Sequence, residues 1–177
     1  ATVKDILHPD ILIDAIMAKR NTGTRLVDAD LVIGLGPGFR AGKDVHLVVE
    51  TNNSENLGEL IFAGKAEKNT GIPIAIGGLT SGRVKHAVDG GLFVTNKKIG
   101  QHVTDGEVIA SVGRQAVKAP NSGIIRALLK SGIQVNEGTK LVEIDPEANK
   151  ETCYRIRARV RAIAGGVLEA ILIWFNV

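Results

Sequence analysis

One stretch of this chain is written twice. Val84-Lys85, Gly90, Gly100-Gln101-His102-Val103, Asp105-Gly106 and Val108-Ile109 recur as Val117-Lys118, Gly123, Gly132-Ile133-Gln134-Val135, Glu137-Gly138 and Leu141-Val142, about 32–33 residues on with one residue of slip. Each copy is a set of short β-branched runs cut by Gly, Asn and Asp, the pattern of strands joined by tight turns. Asp105-Gly106 and Glu137-Gly138 occupy equivalent turns, where glycine accepts a positive φ. One copy is too short to bury its own apolar face. Two copies laid face to face can, which predicts a small pseudo-two-fold β-sandwich or flattened barrel over 80–146.

The same residues resemble a biotinyl/lipoyl-like module, a barrel-sandwich hybrid. Val117-Lys118-Ala119-Pro120-Asn121-Ser122-Gly123-Ile124-Ile125 is similar to that family's post-hairpin strand, and Gly132-Ile133-Gln134-Val135-Asn136-Glu137-Gly138 to its later turn. In carrier members a lysine on the preceding hairpin takes the cofactor. Here the hairpin reads Ser111-Val112-Gly113-Arg114-Gln115-Ala116, without lysine, and Lys118 falls on the strand. The resemblance implies the architecture without covalent biotin or lipoate.

Around this module the chain reads as α+β, mainly β. An α/β region with a Gly-rich loop occupies 1–79, the module 80–146, and a C-terminal helix over 147–177 packs back on the first region. Apolar residues at Ile6, Leu7, Ile11, Leu12, Ala15 and Ile16 predict a helix over 6–18, opened at Pro9. Asp30–Leu35 and Val45–Glu50 read as strands, 57–65 as a further short strand, and 71–82, rich in Gly, as a linker. Ile156, Val160, Ile163, Ala164, Val167, Leu168 and Ile171 form a helical stripe. Gly165-Gly166 inside it costs about 2 kcal/mol against two alanines, so the pair points to close approach of another backbone or to a break.

The composition narrows the function classes. Aromatics make up 3% of 177 residues, so the core is aliphatic. A net charge of +3, spread along the chain and not interleaved with aromatics, argues against nucleic acid. A single cysteine excludes an internal disulfide and a cysteine-based metal cluster, and no other spacing predicts a metal site. The apolar run Val167–Phe175 contains Glu169 and is too short to span a bilayer. With no charged-then-apolar leader in view, the expectation is a cytoplasmic protein without a membrane partner, with self-association left open.

The candidate site residues favour anions. Lys19-Arg20-Asn21-Thr22-Gly23 is nearly repeated as Lys68-Asn69-Thr70-Gly71, and a basic residue before Asn-Thr-Gly offers side-chain and backbone donors. The alternative is a plain turn. Strand 30–35 empties into Gly36-Pro37-Gly38-Phe39-Arg40-Ala41-Gly42-Lys43. A dinucleotide fingerprint needs that loop to open a helix, but a second strand follows at once. What remains is a strand–loop–strand with Arg40 and Lys43 at its mouth, able to hold a phosphate or carboxylate, or kept for tight packing. Glu50 ends the second strand among polar residues. His46 reads as a satisfied semi-core histidine. Cys153, close before the last helix among arginines, is the weak candidate for a reactive group; otherwise it is a small buried apolar residue.

Several stretches together resemble one family: Ile13-Asp14-Ala15 with Ala18–Thr24; Gly36-Pro37-Gly38-Phe39 with Ala41-Gly42; Glu50-Thr51-Asn52; Asn69-Thr70-Gly71-Ile72-Pro73; and Arg161–Leu172. They look like YqeB-type accessory proteins of selenium-dependent molybdenum hydroxylases. Members carry a further amino-terminal nucleotide-fold-like region, so the resemblance implies a fragment or a shortened relative. This chain departs from them at Asn53-Ser54-Glu55 and at Arg157–Arg161. The resemblance implies a maturation factor, non-catalytic or weakly catalytic, partnering the hydroxylase or its other maturation proteins. Its ligand would be anionic: a phosphate of the molybdenum cofactor, or a selenium species. Lys19, Arg20, Asn21, Thr22, Gly36, Gly38, Arg40, Lys43, Glu50, Asn69 and Thr70 are the expected binding residues. Two rivals stay open: a scaffold without ligand, and an enzyme acting on a phosphorylated or carboxylated small molecule.

Overall fold

The first apolar runs of the chain become strands of one sheet. In a computed structural model that describes residues 3–71 and 75–176, β1 (Ile11–Asp14), β2 (Leu31–Leu35) and β3 (Leu47–Val49) lie parallel, and β4 (Leu60–Ile61) pairs antiparallel to β3. The order is β1-β2-β3-β4. The predicted helix over 6–18 is not formed. A five-residue α1 (Val3–Leu7) is followed by β1. The reason is the ladder Ile11↔Leu31 to Asp14↔Gly34, which pairs the apolar run, whereas a short helix is marginal by itself.

The sheet and the long helix α2 (Ala158–Phe175) belong to one unit, Ala1–Gly71 with Ile156–Val177. Side chains alternate across the strands. Leu31, Ile33, Leu47 and Val49 pack with Ala170, Ile163, Val167 and Ile171 of α2. Val32 and Val48 face the other way, onto Phe39, Ala41 and Val45. Both faces are covered, as parallel sheets require. The Phe39 ring leaves no room at Gly34, where an added Cβ would lie 2.6 Å from it. His46 fits its expected role: its Nδ1 accepts the Val32 N–H at 2.9 Å, and its ring lies 5.3 Å from that of Trp174.

Helix α2 runs unbroken through its glycine pair. A Cβ on Gly166 would fall 2.1 Å from the Gly58 carbonyl oxygen, while Gly165 faces open space. The close backbone approach therefore belongs to Gly166 alone. Among the described residues no helix is long and apolar enough to cross a membrane.

Ile72–Arg155 form the second unit. Ile72, Pro73 and Ile74, all in the stretch read as a linker and the first two in one family motif, lie outside the described residues. The repeat unfolds as β5 (Val84–His86), β6 (Gly91–Val94), β7 (His102–Val103) and β8 (Val108–Val112), then β9 (Gln115–Lys118), β10 (Gly123–Leu128), β11 (Ile133–Val135) and β12 (Lys140–Asp145). One sheet has the order β5-β12-β10-β7, the other β9-β8-β6-β11. Exchanging each strand with its counterpart in the other copy turns one order into the other. The ladders set the offset at 32. A bulge between Val108 and Ala110 opposite β9 recurs between Lys140 and Val142 opposite β5. Lys118 is thus the counterpart of His86, and the sequence match of Val84-Lys85 with Val117-Lys118 is displaced by one residue.

The core obeys the same exchange. Ala87 and Ala119, Phe93 and Ile125, Val103 and Val135, Ile109 and Leu141, Ala110 and Val142, and Val112 and Ile144 are all buried in one cluster. The hydrogen bonds swap likewise: Gly106 N–H donates to Ala119 O and Gly138 N–H to Ala87 O. Each copy supplies the apolar surface that the other cannot provide for itself.

The two helix glycines should respond oppositely to alanine. Gly166→Ala forces backbone against backbone and is expected to cost about 1–3 kcal/mol. Gly165→Ala, in open space, should be neutral or stabilise by up to about 1 kcal/mol. Urea denaturation of both variants measures this.

Candidate functional site

Parallel pairing brings the carboxyl ends of β1, β2 and β3 to one edge of the sheet, where ligands bind in open α/β sheets. The loops that leave these ends touch. Gly36 N–H donates to Val49 O at 2.9 Å. A side chain at Gly36 would strike Thr51, with Oγ1 2.3 Å from the added Cβ, and one at Gly38 would strike the Arg20 backbone at 2.6 Å. Two buried carboxylates fasten the edge. Asp14 accepts the Thr24 hydroxyl at 2.6 Å and the Ile16 N–H at 3.1 Å, closing the loop after β1. Glu50, 2% exposed, accepts the N–H groups of Thr51 and Asn52 at 2.6 Å on one oxygen and that of Glu67 at 2.7 Å on the other.

These loops enclose a cavity of about 70 Å³ lined by Met17, Lys19, Pro37, Thr51, Asn52, Glu67, Lys68, Asn69 and Arg159. Three of the lining groups are cations. Among the described residues neither lysine has a carboxylate partner. The Glu67 carboxylate takes hydrogen bonds from the Asn52 amide, the Ser54 hydroxyl at 3.1 Å and the Asn56 amide at 3.2 Å. These donors, Asn52 foremost, hold its pKa below the ordinary carboxylate value. With both oxygens engaged, Glu67 is a poor general base. Arg159 donates a terminal N–H to Thr51 O. Its Nε is buried with no hydrogen-bond partner among the described residues; such an unmet donor costs about 1–3 kcal/mol. Met17 and Lys19 hold left-handed φ values of 59° and 61°, strain of the kind that collects at ligand sites.

The structure brings part of the predicted set together. Lys19 and Asn69 line the cavity. Gly36 and Gly38 allow the loops to close, and Glu50 clamps them. Arg20 contributes backbone, its side chain exposed. Asn21 is consumed by its own turn, accepting the N–H groups of Gly23 and Thr24 and donating to Thr24 O, each at 2.8 Å. Thr22 and Thr70 are exposed. Arg40 and Lys43 do not join the cavity. They are exposed on the turn where Gly42 N–H reaches Val45 O, because the chain is already returning to His46, beside the start of β2.

Lys68 and Asn52 lie in stretches that the sequence singles out, whereas Glu67 and Arg159 carry no such mark. Lys68 was legible as the basic residue before the second Asn-Thr-Gly. Arg159 was hidden among four alternating arginines, where only the helix register decides which one turns inward. Cys153 sits in a short 3-10 turn of the second unit, several residues before α2, with its thiol donating to Asn149 O at 3.6 Å and Ile125 O at 3.9 Å.

No protein-family model matches the chain. Over 168 residues, 95% of its length, it is 45% identical to "Uncharacterized protein YqeB" of Escherichia coli (strain K12), and it spans 31% of that curated relative. The product-bound structure of the ectoine utilization protein EutE (DoeB) from Ruegeria pomeroyi aligns with 49% of this chain and 28% of its own, at 15% identity and a TM-score of 0.33. So loose a likeness carries no argument.

The lowered pKa of Glu67 has a direction in pH. The unfolded chain takes up the proton first, so the contribution of this loop is complete above the ordinary carboxylate pKa of 4.5 and is lost as pH falls through the lower folded value. Glu67→Gln should flatten the acid limb of stability against pH, measured as the denaturant midpoint from about pH 3 to 6.

Proposed function

We propose that this chain is part of a maturation factor for a selenium-dependent molybdenum hydroxylase, and that it binds an anionic small molecule at the carboxyl edge of its parallel sheet. The cavity carries the reading: Lys19, Lys68 and Arg159 surround it, with Asn52 and Asn69 as neutral amide groups. Similarity to YqeB over 95% of the chain supports the relationship expected from the motifs. A phosphate of the molybdenum cofactor, or a selenium oxyanion, has the chemistry for such a cavity. The second unit is read as a barrel-sandwich hybrid. Its dyad-related strand orders support this. The tip of its β8–β9 hairpin is Gly113-Arg114, and Lys118 pairs with Val108 along the strand, so the lysine that takes the cofactor in carrier members has no counterpart at the tip.

Binding of phosphate, selenite and molybdate by calorimetry at low salt tests this. Lys19→Ala with Lys68→Ala should weaken binding at least about tenfold, the loss of two charge-assisted contacts. Arg40→Ala with Lys43→Ala should leave it unchanged. If no anion binds, or if the Arg40 and Lys43 pair matters as much as the lysines of the cavity, the site is wrong. A hydroxylase that still co-purifies with a chain unable to bind anions would favour the scaffold.

A further inference from the structure

We infer that the outer face of α2 is an interface with a second copy of this chain, the two helices packing antiparallel about a two-fold axis at Gly165. Ile163, Val167, Ala170 and Ile171 turn toward the sheet. At about 3.6 residues per turn, Arg161, Gly165, Leu168 and Leu172 fall on the opposite side. All four are exposed, Leu168 by 57% and Leu172 by 52%. The shallow groove along this side is lined by α2 alone, from Gly165 to Asn176, so no other element of the described chain covers it.

Charge names the occupant. Of the charged residues of α2, Arg159 turns inward to Thr51, which leaves Arg161 and Glu169. Both are exposed, and among the described residues neither has an ion-pair partner. They stand at equal distances before and after Gly165. An axis there that reverses the helix sets Arg161 of each copy beside Glu169 of the other. Parallel packing would set like charges together. A contact between identical copies needs such a self-complementary patch, with cation and anion placed evenly about its centre.

Shape follows the same axis. Leu168 falls beside Ala162 of the second copy, and Leu172 beside its Ala158, so the large residues of one half of the face meet the small residues of the other. At the crossing glycine meets glycine. A Cβ on Gly165 finds nothing within 4 Å, which lets the helices approach the short end of the usual interaxial range of about 8–10 Å. One helix face per copy is a small contact beside the roughly 1,200–2,000 Å² of a standard interface, so association in the micromolar range is expected.

Sedimentation equilibrium of the full chain, from about 5 to 500 µM, spans that range and should show a dimer. Arg161→Glu or Glu169→Arg alone should raise the dissociation constant at least about tenfold, since each sets like charges together at both ends of the contact. The two changes in one chain, or an equimolar mixture of the two single variants, rebuild opposite pairs and should restore association. Circular dichroism and melting temperature should stay as in the wild type, because both side chains are exposed. Gly165→Gln fills the crossing without touching either charge and should abolish the dimer; it decides the matter if a reversal fails to fold. A chain that stays monomeric throughout overturns the proposal and leaves the face to a different partner. A dimer indifferent to these substitutions lies elsewhere on the surface and overturns it too. Weakening by each reversal with neither recovery overturns the antiparallel axis at Gly165.

Discussion

Parallel pairing of three short strands is the constraint from which the candidate site follows. Antiparallel neighbours would send alternate strand ends to opposite edges of the sheet. Here β1, β2 and β3 end on the same side, so the loops after Asp14, Leu35 and Val49 have to share one edge. Sharing it demands small residues where backbones meet. Gly36 and Gly38 supply them, the first against Thr51 and the second against Arg20. The crossover from β2 to β3 contains no helix. Its apolar residues Phe39, Ala41 and Val45 therefore cover that face of the sheet themselves.

Buried carboxylates turn this crowding into a defined shape. Glu50 spends both oxygens on backbone N–H groups from two segments, and Asp14 does similar work one loop away. These contacts use the acids for architecture, which leaves the basic side chains as the free charge at the edge. The helix that covers the other face also reaches the site, since Arg159 lies in its first turn and Gly166 lets its middle settle onto Gly58.

The second unit solves a different problem. Its strands are short, and each copy of the repeat exposes an apolar face. Dyad exchange buries both, residue for residue: Phe93 against the place of Ile125, Ile109 against that of Leu141. Even the bulges are copied. The repeat was visible in the sequence because turns impose Gly at fixed positions and the core imposes β-branched residues between them. The pairing offset was not fully visible. Val84-Lys85 and Val117-Lys118 match as letters one residue away from where the ladders align them.

Sequence alone determined the features that depend on local chemistry: strands where β-branched runs meet turn residues, the doubled module, a helix along the last apolar stripe, and an Asn-x-Gly turn after Arg20. Tertiary structure decided the rest. It made Ile11–Asp14 a strand, because a waiting ladder at Leu31–Gly34 outweighs helical spacing. It also separated the basic residues. Lys19, Lys68 and Arg159 come from segments far apart in the chain and share a cavity, while Arg40 and Lys43, written into the glycine loop itself, turn away with the returning backbone. Spacing along a chain reports what a segment can form by itself; which charges meet is set by how parallel strand ends and a distant helix pack together.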